Sequence, residues 1–333
     1  VNKMATISND KVLDQDDPPP LPHHVQKPSV NAPYARPPAA RPTHTNGFGV
    51  TGGKHNNENV KGLTQRELNR RVREAEDPKV KAELKAEVAR AISKLAKHNA
   101  KACTSITETK ALLCFAALME KEIGNVQLNS TIAVMEIMAV AEEDVDLRRK
   151  GIRMTSPAMK AVVDQLLRLV RDGRPELQVV AIRAVGCLSR TFTVRETRVV
   201  GPLVKQLEGA SDDIIAEAVK ALTKFACKEN FLHREHSKAI VQAGGAGPLV
   251  QMIFFSRGEV LIDAVTLMCY LALYSGEAAT LAKVEPLPAL KAFMKNSHSV
   301  QPPFLDLDLV QQAINHLEIY HGKQLTDLAD PFS

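Results

Sequence analysis

Residues 238–274 decide the fold, and they read KAIVQAGGAGPLVQMIFFSRGEVLIDAVTLMCYLALY. Gly244-Gly245 predicts the end of a short first helix, because a residue without a Cβ can take positive φ there. Pro248 predicts the start of a second helix, since a first-turn proline loses no hydrogen bond. After the break at Ser256-Arg-Gly258, apolar residues recur at helical spacing over 259–274. Three helices are therefore predicted, and their apolar faces need neighbours with the same pattern.

The third of these helices has relatives along the whole chain. A small residue or Val, an apolar residue four positions later and a large apolar residue seven positions later recur six times. The sets are Val88, Ile92, Leu95; Ala133, Ile137, Val140; Ala181, Val185, Leu188; Ala218, Leu222, Phe225; Ala264, Met268, Leu271; and Ala313, Leu317, Tyr320. Their starts lie 45, 48, 37, 46 and 49 residues apart. This period is typical of armadillo and HEAT solenoids, so an all-α, armadillo-type right-handed α-solenoid is predicted over residues 78–321.

The other helices are predicted from the same spacing and from Pro and Gly at their ends. In chain order the predicted helices are 79–97, 107–120, 126–142, 157–170, 176–190, 194–208, 212–228, 239–243, 248–255, 259–274, one beginning at Pro288, and 305–321. Residues 144–155 are predicted to be a basic loop with a short helix. Residues 322–333 are predicted to be a loose tail.

The amino-terminal part is predicted to lie outside the array. Thirteen of the 37 residues from 17 to 53 are Pro or Gly. Such a composition buries too little apolar area to offset the entropy of ordering, so residues 1–62 are predicted to be disordered. Residues 63–77 mix Arg and Glu with few apolar anchors and are predicted to be an exposed lead-in helix. A first residue of Val predicts that the chain is a fragment, with upstream modules outside it.

Composition and motifs narrow the possible function classes. The chain has 333 residues, 44% hydrophobic and 24% charged, with a formal net charge of +5. No apolar run reaches the roughly 18 residues of a membrane span. The five scattered cysteines predict buried reduced thiols of a cytosolic protein. The cations are interleaved with acids and no aromatic ladder accompanies them, so no nucleic-acid partner is predicted.

Catalytic and metal-binding patterns are missing from the sequence. It contains no Walker loop, GxSxG, HExxH or paired CxxC. The pair His233 and His236, like the pair His316 and His321, has no third ligand nearby in sequence. The prediction is a protein with no enzymatic activity, no cofactor and no metal.

Several segments resemble a known family. The GGAGPLV turn at 244–250 is similar to the armadillo repeat. More specific segments resemble the plant armadillo-repeat-only family over about residues 63–321, and they are KAELKAE at 81–87, SITETKALLCFA at 105–116, TSPA at 155–158 and KAVVDQLL at 160–167. The chain would then be the carboxy-terminal half of such a protein.

That resemblance implies a scaffold for polarised tip growth in plants. Family members are associated with the plasma membrane and with activators of Rho-type GTPases, and their membrane attachment relies on an amino-terminal lipidated cysteine that this chain lacks. The expected location is cytoplasmic, with peripheral attachment to the plasma membrane in a full-length protein. An alternative stays open: plant U-box ubiquitin ligases also end in armadillo arrays, which recruit substrate for an upstream catalytic module.

The third helices of an armadillo array line a concave groove, and their residues are the candidate partner-binding site. Importin-α-like members carry Trp and Asn four apart there, and this sequence keeps that pattern at none of the matching positions. Cations stand at several of them instead, which disfavours a basic peptide and favours an acidic or phosphorylated segment. The alternative is that Glu87, Glu217 and Asp263 neutralise these cations. The candidate residues are Arg90, Lys94, Arg183, Lys220, Lys224 and Tyr270.

Overall fold

The computed structural model describes residues 78–209, 211–297 and 305–329. The segment predicted to be disordered, 1–62, and the predicted lead-in helix over 63–77 lie outside the described residues. Residues 330–333 of the predicted tail lie outside them too.

The described residues form α-helices and short 3-10 turns, with no strand among them. The helices are α1 (Pro78–Ala96), α2 (Ala100–Glu108), α3 (Ala111–Lys121), α4 (Gly124–Glu143), α5 (Val145–Lys150), α6 (Pro157–Asp172), α7 (Pro175–Cys187), α8 (Val200–Lys205), α9 (Asp212–Ala226), α10 (His233–Gln242), α11 (Ala246–Phe255), α12 (Gly258–Tyr274), α13 (Ala278–Ala282), α14 (Pro286–Ser297) and α15 (Leu307–Ala329). Two 3-10 turns, Val194–Val199 and Gln206–Glu208, flank α8.

The six helices that share the apolar spacing, called the third helices, stack in chain order. They are α1, α4, α7, α9, α12 and α15, and each contacts the next. The predicted solenoid is therefore confirmed at its central feature, a continuous row of third helices.

The core lies between these third helices and the helices that precede them. In the four sets from α4, α7, α9 and α12, all three apolar positions are buried. Ala313 and Leu317 of α15 are buried as well. Burying these side chains removes apolar area from water, which is the main force that holds such an array together.

The first and second helices form two further rows. Second helices meet where α3 contacts α6, α6 contacts α8, and α11 contacts α14. First helices meet where α2 contacts α5 and α10 contacts α13, while the turn at Val194–Val199 takes the place of a first helix against α10. A side-chain hydrogen bond reinforces one of these contacts, since Arg168 Nη2 donates to the carbonyl oxygen of Met119 at 2.6 Å. Each unit thus adds one element to each row.

The helix predicted over 107–120 is wrong, because the chain forms α2 and α3 there. Thr109 lies at the break: its hydroxyl donates to the carbonyl oxygen of Ile106 at 2.7 Å and accepts from the backbone N–H of Ala111 at 3.1 Å. A threonine side chain that satisfies backbone groups in this way competes with the helical hydrogen bonds. The axes of α2 and α3 meet at an angle of 81°. Among the described residues, no single helix is long and apolar enough to cross a membrane.

The predicted apolar set of the first unit is also wrong in register. Val88 and Leu95 are exposed, and α1 buries a different face, which consists of Ala86, Ala89, Ser93 and Ala96. The main contacts of α1 are with α4 and α2, so small residues face the one third helix beside it. Val88 and Leu95 point away from it, while Ile92 is partly buried against the core.

Two other boundaries differ from the prediction. The short helix predicted over 239–243 is α10, which begins at His233 and ends at Gln242 before Gly244 takes a φ of 88°. The last helix, predicted to end at 321, continues to Ala329, so the tail prediction is wrong for 322–329. No proline lies between Pro303 and Pro331, and Gly322 alone does not end a helix in this context.

Candidate protein-binding surface

The predicted site residues lie on four of the third helices. Arg90 and Lys94 lie on α1, Arg183 on α7, and Tyr270 on α12, while Lys220 and Lys224 lie one turn apart on α9. The structure therefore brings Arg183, Lys220 and Lys224 together on adjacent helices. Four of these five cations have carboxylate partners, and for three of them the partner belongs to another third helix.

Arg183 joins α7 to α9 through a two-point contact. Its Nε and Nη2 atoms donate to the two carboxylate oxygens of Glu217 at 3.1 and 2.7 Å. The hydrogen bonds to Glu217 raise the pKa of Arg183 above its usual value. This planar, bidentate geometry fixes the separation of the two helices as well as their charge balance.

Lys220 joins α9 to α12. Its Nζ lies 3.2 Å from Glu259 Oε2 and 4.0 Å from Asp263 Oδ2. Burial raises the pKa of Asp263, and the charge of Lys220 acts in the opposite direction. Both acids stand one turn apart on α12, so the one position of the lysine Nζ lies within 4.0 Å of each.

Lys224 spans a longer distance across the array. Its Nζ lies 2.7 Å from Glu142 Oε2 at the end of α4, and on the way it passes 3.8 Å from Cys187 Sγ of α7. Burial raises the pKa of Cys187 to about 12, so the thiol is neutral at physiological pH. Gly186 lies beside the lysine stem, since a Cβ there would meet Lys224 Cδ at 3.7 Å, an ordinary van der Waals distance.

The two cations of α1 differ from those of the central helices. Arg90 pairs with Glu87 on its own helix, while Lys94 makes no hydrogen bond or ion pair with another described residue. Glu87 pairs with Arg90 one turn away on the same helix, as the alternative interpretation of the sequence predicted. Glu217 pairs instead with Arg183 of another helix, and Glu259 lies closer to Lys220 than Asp263 does. On the third-helix surface the cations are largely neutralised by acids, so this surface is not a basic groove. Partner binding at these residues stays a prediction.

Tyr270 contributes a half-buried aromatic ring to the same surface. Its ring stacks on Tyr274, with centroids 5.9 Å apart, and Tyr274 makes an edge contact with His233 at 4.8 Å. Burial raises the pKa of Tyr270 to about 12. A stacked tyrosine of this kind loses little conformational entropy on binding, which suits a contact residue.

The histidines and cysteines build no metal centre in the described residues, which hold no cluster of three His, Cys, Asp or Glu side chains. His236 is buried and packs edge-on against Phe225 at 4.9 Å. Cys103, Cys187 and Cys269 are buried as predicted, but Cys114 is exposed, because it faces outward on α3.

One basic cluster did not enter the predicted site. Arg148, Arg149, Arg153 and Arg190 line a cavity of about 440 Å³ at the edge where the third helices end. The sequence offered only a partial signal: residues 144–155 were recognised as basic, but Arg190 and Phe231 join them from distant turns.

Of the comparisons with known proteins, the one with solved structures bears on the fold. No protein-family model matches the chain, and no curated protein matches it. Among solved structures, a designed armadillo repeat protein is similar at 21% identity and a TM-score of 0.58, over 77% of this chain and 96% of its own. A designed armadillo repeat protein in complex with the peptide (KR)4 is similar at 22% identity and a TM-score of 0.57, over 75% and 99%. An engineered protein is similar at 22% identity and a TM-score of 0.55, over 71% and 91%. These identities show the fold alone, and the described part of the chain has the fold of an armadillo-type α-solenoid.

Proposed function

We propose that this chain is a non-enzymatic scaffold that binds segments of other proteins along its third-helix surface. One observation carries the proposal: six third helices contact one another in unbroken series, and ion pairs between them hold their exposed side chains at fixed spacing. A prearranged surface binds more tightly, since less ordering entropy is lost on association. The solenoid of a similar designed protein holds the peptide (KR)4, and we extend peptide binding, though not that peptide, to this chain.

An acidic or phosphorylated segment fits the cations at these positions. Such a segment would exchange its carboxylates or phosphates for those of Glu217, Glu259 and Glu142. The cations are half-exposed, so a segment can reach them, but Glu217 and Glu142 are only 13% and 20% exposed, and binding must offset the cost of leaving these carboxylates without their partners. A basic segment cannot take the place of these carboxylates, so it gains no ion pair with Arg183, Lys220 or Lys224.

Charge reversal tests this proposal. The full chain serves as bait in a plant extract, captured proteins are identified by mass spectrometry, and their affinity is then measured for the double variant Lys220→Glu, Lys224→Glu. We expect binding to weaken and its dependence on salt to flatten. Lys160→Glu with Lys205→Glu is the matched control, because both lysines are exposed on second helices and the change in net charge is the same. Equal affinity of the two double variants would exclude the third-helix surface as the binding site.

For the cellular role we propose Rho-type GTPase-linked polarised tip growth in plants, with the protein in the cytoplasm and peripherally at the plasma membrane. The support is the resemblance of KAELKAE, SITETKALLCFA and KAVVDQLL to the plant armadillo-repeat-only family. Co-precipitation of a Rho-type GTPase activator with the tagged chain from growing pollen tubes is the expected result. An upstream U-box in the same transcript, with ubiquitin transfer to captured proteins, would favour the ligase alternative.

A further inference from the structure

A cavity of about 440 Å³ lies away from the third-helix surface, at the edge where third helices end and first helices begin. Three separate segments form it: α5 with the loop after it, the turn after α7, and the turn after α9. Buried Asn230 holds two of these segments together, since its Nδ2 atom lies 3.1 Å from the carbonyl oxygen of Ser189. The turn that carries Arg190 and the turn that carries Phe231 are therefore fixed relative to each other.

Four arginines border this cavity, and they fall into two kinds. The Nη1 atom of Arg148 donates to the carbonyl oxygens of Ala141 and Glu142 at 3.1 and 2.6 Å, so this guanidinium is locked at the end of α4. Arg149, Arg153 and Arg190 are exposed and make no hydrogen bond or ion pair with any other residue that the structure describes. Their donors are free to bind a ligand.

The charge around the cavity is unbalanced. Glu229 is the one carboxylate among its lining residues, against four guanidinium groups. On the third-helix surface, by contrast, Arg183, Lys220 and Lys224 each have an acid within 4 Å. Like charges gathered in one concave site raise the local concentration of anions and favour a ligand that carries more than one negative charge.

A phosphate monoester matches this cluster better than a carboxylate does. It carries about −1.5 to −2 charges at pH 7 and three strong acceptor oxygens. Guanidinium groups bind such oxygens through two parallel hydrogen bonds, a geometry that a lysine does not offer. A single dianion can therefore engage several arginines at once.

Apolar groups at the same cavity indicate more than a free phosphate. The Phe231 side chain is 94% exposed and that of Val145 is 47% exposed, both beside the arginines. An exposed phenylalanine at the rim of a charged cavity is typical of an anchor for an apolar side chain of a partner. The described part of the cavity wall has no second aromatic ring that would stack successive bases, which argues against single-stranded nucleic acid.

We propose that this cavity binds a phosphorylated serine or threonine of a partner protein. The phosphate contacts Arg149, Arg153 and Arg190, and an adjacent apolar residue packs on Phe231 and Val145. The inference rests on the proposed scaffold function and adds a second, chemically distinct contact, which makes partner binding dependent on phosphorylation.

The test uses the full chain and a degenerate peptide library with one fixed phosphoserine, measured by fluorescence polarisation beside the same library without phosphate. We expect preference for the phosphorylated library and a loss of at least about tenfold in affinity for Arg149→Gln with Arg153→Gln, because charge-assisted hydrogen bonds are removed. Arg171→Gln with Arg234→Gln is the matched control, since both arginines are exposed and unpaired in the described part of the chain. Arg149→Lys with Arg153→Lys keeps the charge and loses the bidentate geometry, so an intermediate loss is expected.

Three outcomes would overturn the proposal. The first is equal binding of the two libraries, and the second is equal affinity of the Arg149, Arg153 variant and its control. The third comes from a parallel measurement with phosphatidylcholine vesicles that contain phosphatidylinositol bisphosphate: arginine-dependent binding to these vesicles and to neither library. The Lys220→Glu, Lys224→Glu variant should bind the phosphorylated library as the natural chain does. If the Lys220→Glu, Lys224→Glu variant loses partner capture but still binds phosphopeptide, the third-helix surface and the arginine cavity are separate sites. If the proposed function fails and phosphopeptide binding persists, or the reverse, the two results show which of the two proposals is wrong.

Discussion

Helices α1 and α9 carry the same apolar spacing, yet they bury it very differently. On α9, Ala218, Leu222 and Phe225 are 0% exposed, whereas on α1 Val88 and Leu95 are 50% and 57% exposed. The difference follows from neighbours: α9 has a third helix on each side, α7 and α12, while α1 meets only α4 among the described third helices. An apolar stripe on a solenoid helix is thus buried only where an adjacent repeat packs against it.

The strongest test of this difference truncates a buried ring in the centre. Phe225 stacks on Phe192 at 5.7 Å and meets the edge of His236, so Phe225→Ala leaves a cavity among three elements. We expect the free energy of unfolding to fall by about 3–5 kcal/mol. Urea denaturation followed by circular dichroism measures it. Leu84→Ala on α1, where the side chain is 64% exposed, is the control and should change stability little; similar losses in both variants would contradict the comparison.

The close approach of α7 and α9 gives the next largest effect. A Cβ on Gly186 would lie 3.0 Å from the Cβ of Ala221 and 3.1 Å from its Cα, and the second of these is backbone that does not yield easily. Gly186→Ala should therefore separate the helices and cost about 1–3 kcal/mol in the free energy of unfolding. Gly201→Ala on α8 is the matched control, because no heavy atom lies within 4 Å of its Cβ and alanine favours a helix. A stable Gly186→Ala protein would show that the two helices are not held this closely in solution.

The centre of the array should also be more sensitive to acid than its end. Burial against Phe225 lowers the pKa of His236 below its usual value of 6.5, so the unfolded chain binds a proton at a pH where the folded chain does not. The buried neutral His236 therefore contributes its full stabilisation of the folded state above about pH 6.5. That stabilisation is lost as the pH falls toward the lower pKa of the folded protein. His236→Phe, which does not titrate, should reduce the loss of unfolding free energy between pH 7.5 and 5.5. An unchanged pH profile would exclude His236 as its source.

The sequence predicted the row of third helices because a buried apolar stripe leaves a periodic trace. It predicted Ala181, Ala218 and Ala264 as equivalent positions, and all three are buried on contacting helices. It failed at the break between α2 and α3, where the Thr109 hydroxyl bonds to backbone groups of both helices and the apolar period gives no sign of an interruption.

The candidate surface was less predictable, because ion pairs join residues that the sequence keeps apart. Glu142 and Lys224 are 82 positions apart, and no local pattern connects them. The sequence indicates Glu217 and Asp263 as acids that neutralise this surface, but helical spacing does not predict that Glu217 pairs with Arg183, 34 positions earlier. The arginine cavity combines three turns, and only the packing of consecutive units brings them together.

The smallest effect is expected at the exposed end of the array. Val88→Gln with Leu95→Gln on α1 should change the free energy of unfolding by no more than about 0.5 kcal/mol per site, because surface substitutions remove little buried area. Urea denaturation of the full chain gives the value, and sedimentation velocity compares its association state with that of the natural sequence. A loss well above 1 kcal/mol, or a change in association state, would mean that another segment or a second copy covers this stripe in solution. In that case the apolar stripe of α1 would be buried in solution, as that of α9 is. The difference in burial between the two helices would then hold only for the described residues taken alone.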